Sequence, residues 1–566
     1  MKPHHACDAG VGADGSLNRY QRGAHVGVQN EWAIYFVNLG GIAEVYKLLS
    51  LVGAGAFFIP EKRAKRKRKE ISSIDEKVAD MIWPDYDKIE DLSGIYNTIP
   101  ICMEIYADFF TPITLLYKIS QISRRYYLLE SVEGGEKWAR YSFLGFDPVL
   151  HVTCKDKSVT LEDHETKTIH TDRPFQVLRD LMTHYRAPRL DGMPPFTGGL
   201  VGYFAYAMIG YTEPVLKIKK DDTNDFDLML FDKVIAYDHL KQKICIVVNM
   251  KTDHILENYR KARAELERIV RMITDSQPIA RLAVDTAADF SCSISKETYC
   301  TMVEKAKQYI VDGDIFQAVI SRRFVSDYHA SLISAYRVLR TTNPSPYMVF
   351  MHLDDLEIMC SSPETLVRLQ EKKLCTFPVA GSRPRGKTEA EDIALEKELL
   401  HDEKERSEHH MLIDLARNDL GRISKFSSVV LTDYMMIHRY SRIMHITSRV
   451  ESEIRDDCDA FDALEAVLPA GTLSGAPKIR ACEIIEELEP EPRGLYGGAI
   501  GYLDFTGNLD TCIAIRMAVK KNGKVYVQAG GGIVADSVPE LEYAEAGNKA
   551  KAVIQAILQA SEVVGG

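Results

Sequence analysis

Two apolar periods run through this chain and restrict its fold more than any single residue does. Residues 141–144, 149–153 and 244–248 are short runs rich in β-branched or aromatic side chains and read as strands. Residues 258–273 carry helical spacing instead. The chain is therefore mixed α and β. A weakly patterned stretch, 274–293, holds Pro278 and small polar residues and reads as a linker. Beyond it helices are expected at 296–312, 389–415 and 540–560, and no internal repeat is visible. With 566 residues, 46% of them hydrophobic, the chain can bury at least two sizeable cores, so two or three domains are expected.

Charge and cysteine usage narrow the function. There are 70 basic and 81 acidic residues, a net charge of −11, which speaks against nucleic acid as the main partner and leaves room for a small anion in a local basic pocket. The 11 cysteines include no C-x-x-C pair and suggest neither a zinc site nor a disulfide framework, so a cytoplasmic, reducing location is expected. The longest apolar stretch, 48–59, is about half of what a bilayer crossing needs, and no membrane span is read. Residues 1–90 stand apart as an N-terminal extension expected to be poorly ordered. They include a run in which Lys62, Arg63, Lys65, Arg66, Lys67, Arg68 and Lys69 crowd together, a pattern that is usually solvated.

Two acidic patterns on expected helices are the first candidates for chemistry: Glu405-x-x-Glu408 and Glu542-x-x-Glu545. Residues three apart share a helix face, so each pair can aim two carboxylates at one centre, and four carboxylates call for a hard cation, Mg²⁺ being the natural choice. The spacing alone does not decide this, because Glu483-x-x-Glu486 has it too and a solvated face explains any one pair. Glycine-rich turns at 497–501 and at Gly530, Gly531 and Gly532 allow close backbone approach to an anion, or make simple tight turns. Neither is a G-x-G-x-x-G element, and 471–478 lacks P-loop spacing, so no nucleotide is indicated.

Seven ordered motifs then carry a resemblance. They are Gly313-Asp-Ile-Phe-Gln-Ala-Val-Ile-Ser-Arg-Arg323, Ser361-Ser-Pro-Glu-Thr365, Pro378-Val-Ala-Gly-Ser-Arg-Pro-Arg-Gly386, Asp402-Glu-Lys-Glu-Arg-Ser-Glu-His409, Arg417-Asn-Asp-Leu-Gly-Arg422, Leu468-Pro-Ala-Gly-Thr-Leu-Ser-Gly-Ala-Pro-Lys478 and Ala529-Gly-Gly-Gly-Ile-Val534. Over residues 290–560 the chain resembles the chorismate-utilising enzymes. Leu128-Leu-Glu-Ser-Val-Glu-Gly-Gly-Glu-Lys-Trp138 and Gly198-Gly-Leu-Val-Gly-Tyr203 add a resemblance to the regulatory part of anthranilate synthases. The resemblance implies an α+β fold of two large, mainly antiparallel β-sheets packed together with helices outside. It implies an N-terminal region at 91–275 holding a tryptophan regulatory site, and a chorismate-binding catalytic domain at 290–562.

Members of this family deliver different nucleophiles to the chorismate ring. Relatives that make aminodeoxychorismate carry a lysine where this chain has Ala380, and an alanine cannot form their covalent adduct. Isochorismate and salicylate synthases carry a lysine base where this chain has Gln317, and an amide is no base for water. Both positions favour ammonia, the anthranilate synthase pattern. No G-x-C-x-G-x-Q loop for glutamine hydrolysis appears, so a separate glutamine amidotransferase subunit and a hetero-oligomer are implied.

The same resemblance assigns roles. Mg²⁺ would sit between Glu408 and Glu545, with Glu405 and Glu542 in or just behind its coordination shell. Arg516 would take the enolpyruvyl carboxylate bidentately, with Tyr496, Gly381, Ser382 and the backbone of Gly530, Gly531 and Gly532 completing the pocket. Glu364 would be the acid for the leaving hydroxyl, kept protonated by crowding from the metal-site carboxylates. His445 would serve the aromatising step and Thr472 would hydrogen-bond near the ring. Ser131, Pro346, Tyr347 and Met348 would bind L-tryptophan as feedback inhibitor. Ser407, His410 and Ala207 depart from the usual pattern without removing any of these groups. The rivals are an isochorismate or salicylate synthase and a non-catalytic sensor, which need not keep Glu364 or the four glutamates.

Overall fold

A computed structural model describes residues 82–131, 140–277, 289–440 and 443–562. The chain divides into two units, 1–74 and 75–566, and every described residue belongs to the second. The apolar stretch 48–59, the basic run 62–69 and the motif residues 132–138 lie outside the described residues.

The described residues form two sheets of 13 and 12 strands in which every pairing is antiparallel. Alternation within a strand builds the layers. In Arg125–Glu130, Tyr126 and Leu128 point to a core shared with helices, while Tyr127 and Leu129 point to a core between the sheets. Tyr127 of the first sheet meets Phe231 of the second edge to face, with ring centroids 4.8 Å apart. The inner layer is thus sheet on sheet, and helices such as Ile255–Thr274 and Pro539–Leu558 cover the outside. With both faces buried, the strands read as nearly continuous apolar runs, which is why a few of them stood out in the sequence.

Both sheets mix strands from the two halves of the chain. Arg125–Glu130 lies beside Tyr347–Leu353 in one, and Gly199–Phe204 beside Ala499–Asp504 in the other. The first sheet already takes in Ile82–Trp83, which pairs with Thr98–Tyr106, inside the segment read as an extension. The strands expected at 141–144, 149–153 and 244–248 are found at Tyr141–Phe146, Leu150–Lys155 and Lys243–Lys251, and the helix at 258–273 is Ile255–Thr274. One long helix expected at 389–415 is two, Glu389–His401 and Glu403–Gly421. Asp402 breaks it. Its side chain accepts from Lys404 N and Glu405 N and so starts the second helix as an N-cap. Among the described residues no helix is long and apolar enough to cross a membrane.

Candidate active site

Glu405 and Glu408, three apart on Glu403–Gly421, share one helix face, and Glu405 lies against Gly381 and Arg383 of strand Val379–Pro384 in the second sheet. Glu542 and Glu545 come from the first turns of Pro539–Leu558, which follows the first sheet's glycine strand, Lys524–Ile533, in the chain. The two pairs are within electrostatic reach. Burial, then Glu405, then Glu545 push the Glu408 carboxyl up, and burial and Glu545 push up Glu542. Lys549 works against both shifts and binds Glu545 at 2.8 Å, while Arg383 approaches Glu405 at 3.5 Å. Among the described residues no three potential ligands are already gathered as a cage. The donors are nevertheless all carboxylate oxygens, four glutamates against Lys549, Lys404 and Arg383, and this set suits a hard cation. By contrast, Glu486 of the look-alike pair accepts from Lys219 N at 2.8 Å and fastens a loop.

Glycine makes the floor. Gln317 opens strand Gln317–Asp327, which pairs with Lys524–Ile533. A Cβ on Gly532 would lie 2.1 Å from Gln317 Nε2, and one on Gly530 would lie 2.3 Å from Ile320 O. The glycines therefore let strand and side chain close together. Gly531 leaves room for Glu542, whose Oε2 would be 3.0 Å from an added Cβ. Gln317 is buried, and among the described residues its Oε1 has no partner.

Glu364 sits between strands Leu356–Ser362 and Thr365–Gln370 and accepts from Thr472 Oγ1 at 3.1 Å. Its carboxyl is pushed up to about 8. The direction is the one expected from sequence, but the cause differs. Burial raises it, and the nearby charge that acts, Lys549, pulls it down together with the Thr472 hydrogen bond. On strand Ile443–Glu453, His445 is half-buried with Nδ1 3.1 Å from Gly381 O, and desolvation holds the imidazole toward its neutral form. Gly381 lies at φ +71° in a bulge between Ala380 and Ser382, so its carbonyl turns to the histidine. Ser382 is exposed beside it.

Arg516 has φ +51° and is half-buried, and among the described residues no hydrogen bond or ion pair reaches its guanidinium. A shielded cation of this kind is ready for an anion that the protein does not supply. The Tyr496 hydroxyl bonds the Gly530 backbone and feels the charge of Arg516, so these members of the expected pocket are together. Sequence reasoning missed Lys549, although its i+4 spacing from Glu545 signals the contact. It also missed the pair Arg493 and Glu489, whose partners beyond each other, Leu473, Val319 and Ser321, lie farther away in sequence.

The expected regulatory segments also meet. Met348 pairs with Glu130, which places Ser131 beside Pro346 and Tyr347 at one end of a cavity of about 830 Å³. Tyr347 OH donates to Asp510 Oδ1 at 2.7 Å, and Met348 is buried. Pro363 and Thr365, on either side of Glu364, line the same cavity, as does Tyr440, whose ring meets that of His445 at 5.7 Å.

Residues 125–555 match the model of the family described as chorismate binding enzyme. The anthranilate synthase component 1 of Acetivibrio thermocellus is 47% identical over 85% of this chain and 100% of its own, and that of Aquifex aeolicus is 44% identical over 84% and 98%. The crystal structure of anthranilate synthase component I from Streptococcus pneumoniae TIGR4 superposes with a TM-score of 0.65 at 37% identity, covering 75% of this chain and 95% of that one. The Escherichia coli isochorismate synthase MenF, at 17% identity and TM-score 0.61, shares the fold.

Proposed function

Because this chain belongs to the chorismate-binding enzymes, within the anthranilate synthase component 1 group, we propose that it converts chorismate and ammonia to anthranilate, pyruvate and water. The observation that carries the proposal is the guanidinium of Arg516, unpartnered among the described residues and within electrostatic reach of Glu545, whose partner Lys549 also acts on the raised carboxyl of Glu364. Arg516 and the Tyr496 hydroxyl bind the enolpyruvyl carboxylate, with Gly381, Ser382 and the Gly530–Gly532 backbone around it. Glu408, Glu545, Glu405 and Glu542 hold Mg²⁺, which supplies positive charge for the ring carboxylate.

The ring C–N bond forms as the C–O bond to the ring hydroxyl breaks. Glu364 gives that oxygen its proton, so it leaves as water. Thr472 orients the acid. The enolpyruvyl C–O bond then breaks with loss of a ring proton, releasing pyruvate and leaving the aromatic amine, and a neutral His445 suits proton acceptance at this step. Gln317 offers an amide instead of a base, which fits a nucleophile that needs no activation.

Ammonia comes from a glutamine amidotransferase subunit, in a cytoplasmic hetero-oligomer. L-Tryptophan binds at Ser131, Pro346, Tyr347 and Met348 and inhibits. The decisive experiment gives the purified chain chorismate, Mg²⁺ and ammonium and follows anthranilate fluorescence. Anthranilate from ammonium but not from glutamine is expected; a nitrogen-free product refutes the reading in favour of an isochorismate or salicylate synthase.

A further inference from the structure

Behind the reacting groups lies one guanidinium that touches three walls of the site and no substrate. Arg493 follows the helix Lys478–Leu488 and its side chain is 1% exposed. It donates to Glu489 through Nε at 2.8 Å and Nη2 at 2.7 Å, to Leu473 O through Nη1 at 2.6 Å, and to Val319 O through Nη2 at 2.7 Å. Leu473 is the neighbour of Thr472, and Val319 lies two residues from Gln317. The guanidinium also sits 5.7 Å from the centre of the Tyr496 ring and 4.8 Å from that of Tyr206. Its counter-ion is tied in turn. Glu489 Oε1 accepts from Ser321 N at 2.7 Å and Ser321 Oγ at 2.9 Å, and Ser321 Oγ accepts from Gln528 Nε2 at 2.8 Å.

We propose that the Arg493–Glu489 pair positions the catalytic groups, setting the Thr472 turn, the Gln317 strand and the Tyr496 ring in register. The inference rests on the function proposed above. Beside the Arg493 bridge, the turn is joined to the strand on the far side of Leu473 from Thr472, where Gly475–Ala476 pairs with Gln317 and Ala318, Val319 N donates to Ser474 O and Phe316 N to Ala476 O. A planar fork with five donors reaches two carbonyls and a carboxylate at once, which a lysine ammonium cannot do from one point. Ion pairing alone is a weak reason for such a pair to be buried, since its desolvation offsets most of the Coulomb gain. Fixing geometry is the stronger reason.

The test uses the full chain with saturating chorismate, Mg²⁺ and ammonium. Arg493→Lys keeps the charge opposite Glu489 and is expected to fold, bind Mg²⁺ as the parent does, and lose about 10- to 100-fold in kcat, the cost of a misplacement on the order of an ångström. Thr472→Val is expected to add little in the Arg493→Lys background although it slows the parent, because both act on the same hydrogen bond to Glu364. Ser321→Ala removes a hydroxyl donor from Glu489 and an acceptor from Gln528, and is expected to fold and to cost several-fold in kcat. A folded Arg493→Lys with parental kcat overturns the proposal, as do multiplicative effects of the two variants. If Arg493→Lys does not fold, Ser321→Ala decides, and parental kcat there overturns it. A parent that makes no anthranilate refutes the function; an active parent whose variants are equally active refutes only the positioning role.

Discussion

Replacing Glu364 by glutamine is expected to stop turnover and, at the same time, to strengthen the fold in alkaline solution. The carboxyl is held at about 8 in the folded chain against an ordinary 4.5. Because the folded value is the higher, stability is fully present below about pH 4.5 and is lost as pH rises toward 8, where the folded protein at last ionises. The gap of about 3.5 units, at about 1.4 kcal/mol each, sets a ceiling near 5 kcal/mol. Glu364 is only partly covered, so we expect about 2 kcal/mol. Glutamine has nothing to ionise and keeps the hydrogen bond from Thr472. Thermal melts of both proteins at pH 5 and pH 8.5 measure this directly: the glutamine variant should gain on the parent as pH rises, and a difference independent of pH refutes burial as the cause of the shift. Turnover should fall by about 10²- to 10⁴-fold, since an amide cannot donate the proton that the hydroxyl needs. Near-parental kcat in the variant would refute Glu364 as the acid.

Other sites give separable outcomes. Glu408→Gln should abolish turnover and weaken Mg²⁺ binding in a calorimetric titration while leaving the melting temperature at least parental, because it removes one of several crowded carboxylates. Thr472→Val should move the alkaline limb of the kcat profile to higher pH, because the lost hydrogen bond is one that lowers the Glu364 value. Ser131→Phe should relieve tryptophan inhibition in initial-rate assays with little loss of basal rate; if tryptophan and chorismate are coupled by about 1–3 kcal/mol, chorismate must weaken tryptophan binding by the same factor.

What sequence could disclose depended on how far apart the partners lie. The faces of Glu405 and Glu408 and of Glu542 and Glu545 follow from helical spacing, and the Asp402 cap was present in the letters even though the unbroken helix hid it. The meeting of Ser131 with Pro346 and Tyr347 came from motifs and not from any local pattern, since strand register across more than 200 residues leaves no periodic trace. Neither the burial of Glu364 nor the bulge that turns Gly381 toward His445 has a local signal. The Arg493 fork reaches the Leu473 and Val319 segments through backbone carbonyls, which every residue type possesses, so no residue identity announces those two partners.

The sharing of strands between the two halves has a consequence for how the protein is made. Strand Arg125–Glu130 has Tyr347–Leu353 as its neighbour, and Gly199–Phe204 has Ala499–Asp504. At ribosomal speeds of about 5–20 residues per second these partners are synthesised on the order of ten seconds to a minute later. During that interval the nascent first half carries strands with open hydrogen-bonding edges and an inner face with no opposing sheet, the state most inclined to stick to other chains. Such long-range pairings also make for slow folding once synthesis ends. The glycine strand Lys524–Ile533 emerges roughly 200 residues after its partner Gln317–Asp327, so the floor of the site closes only then.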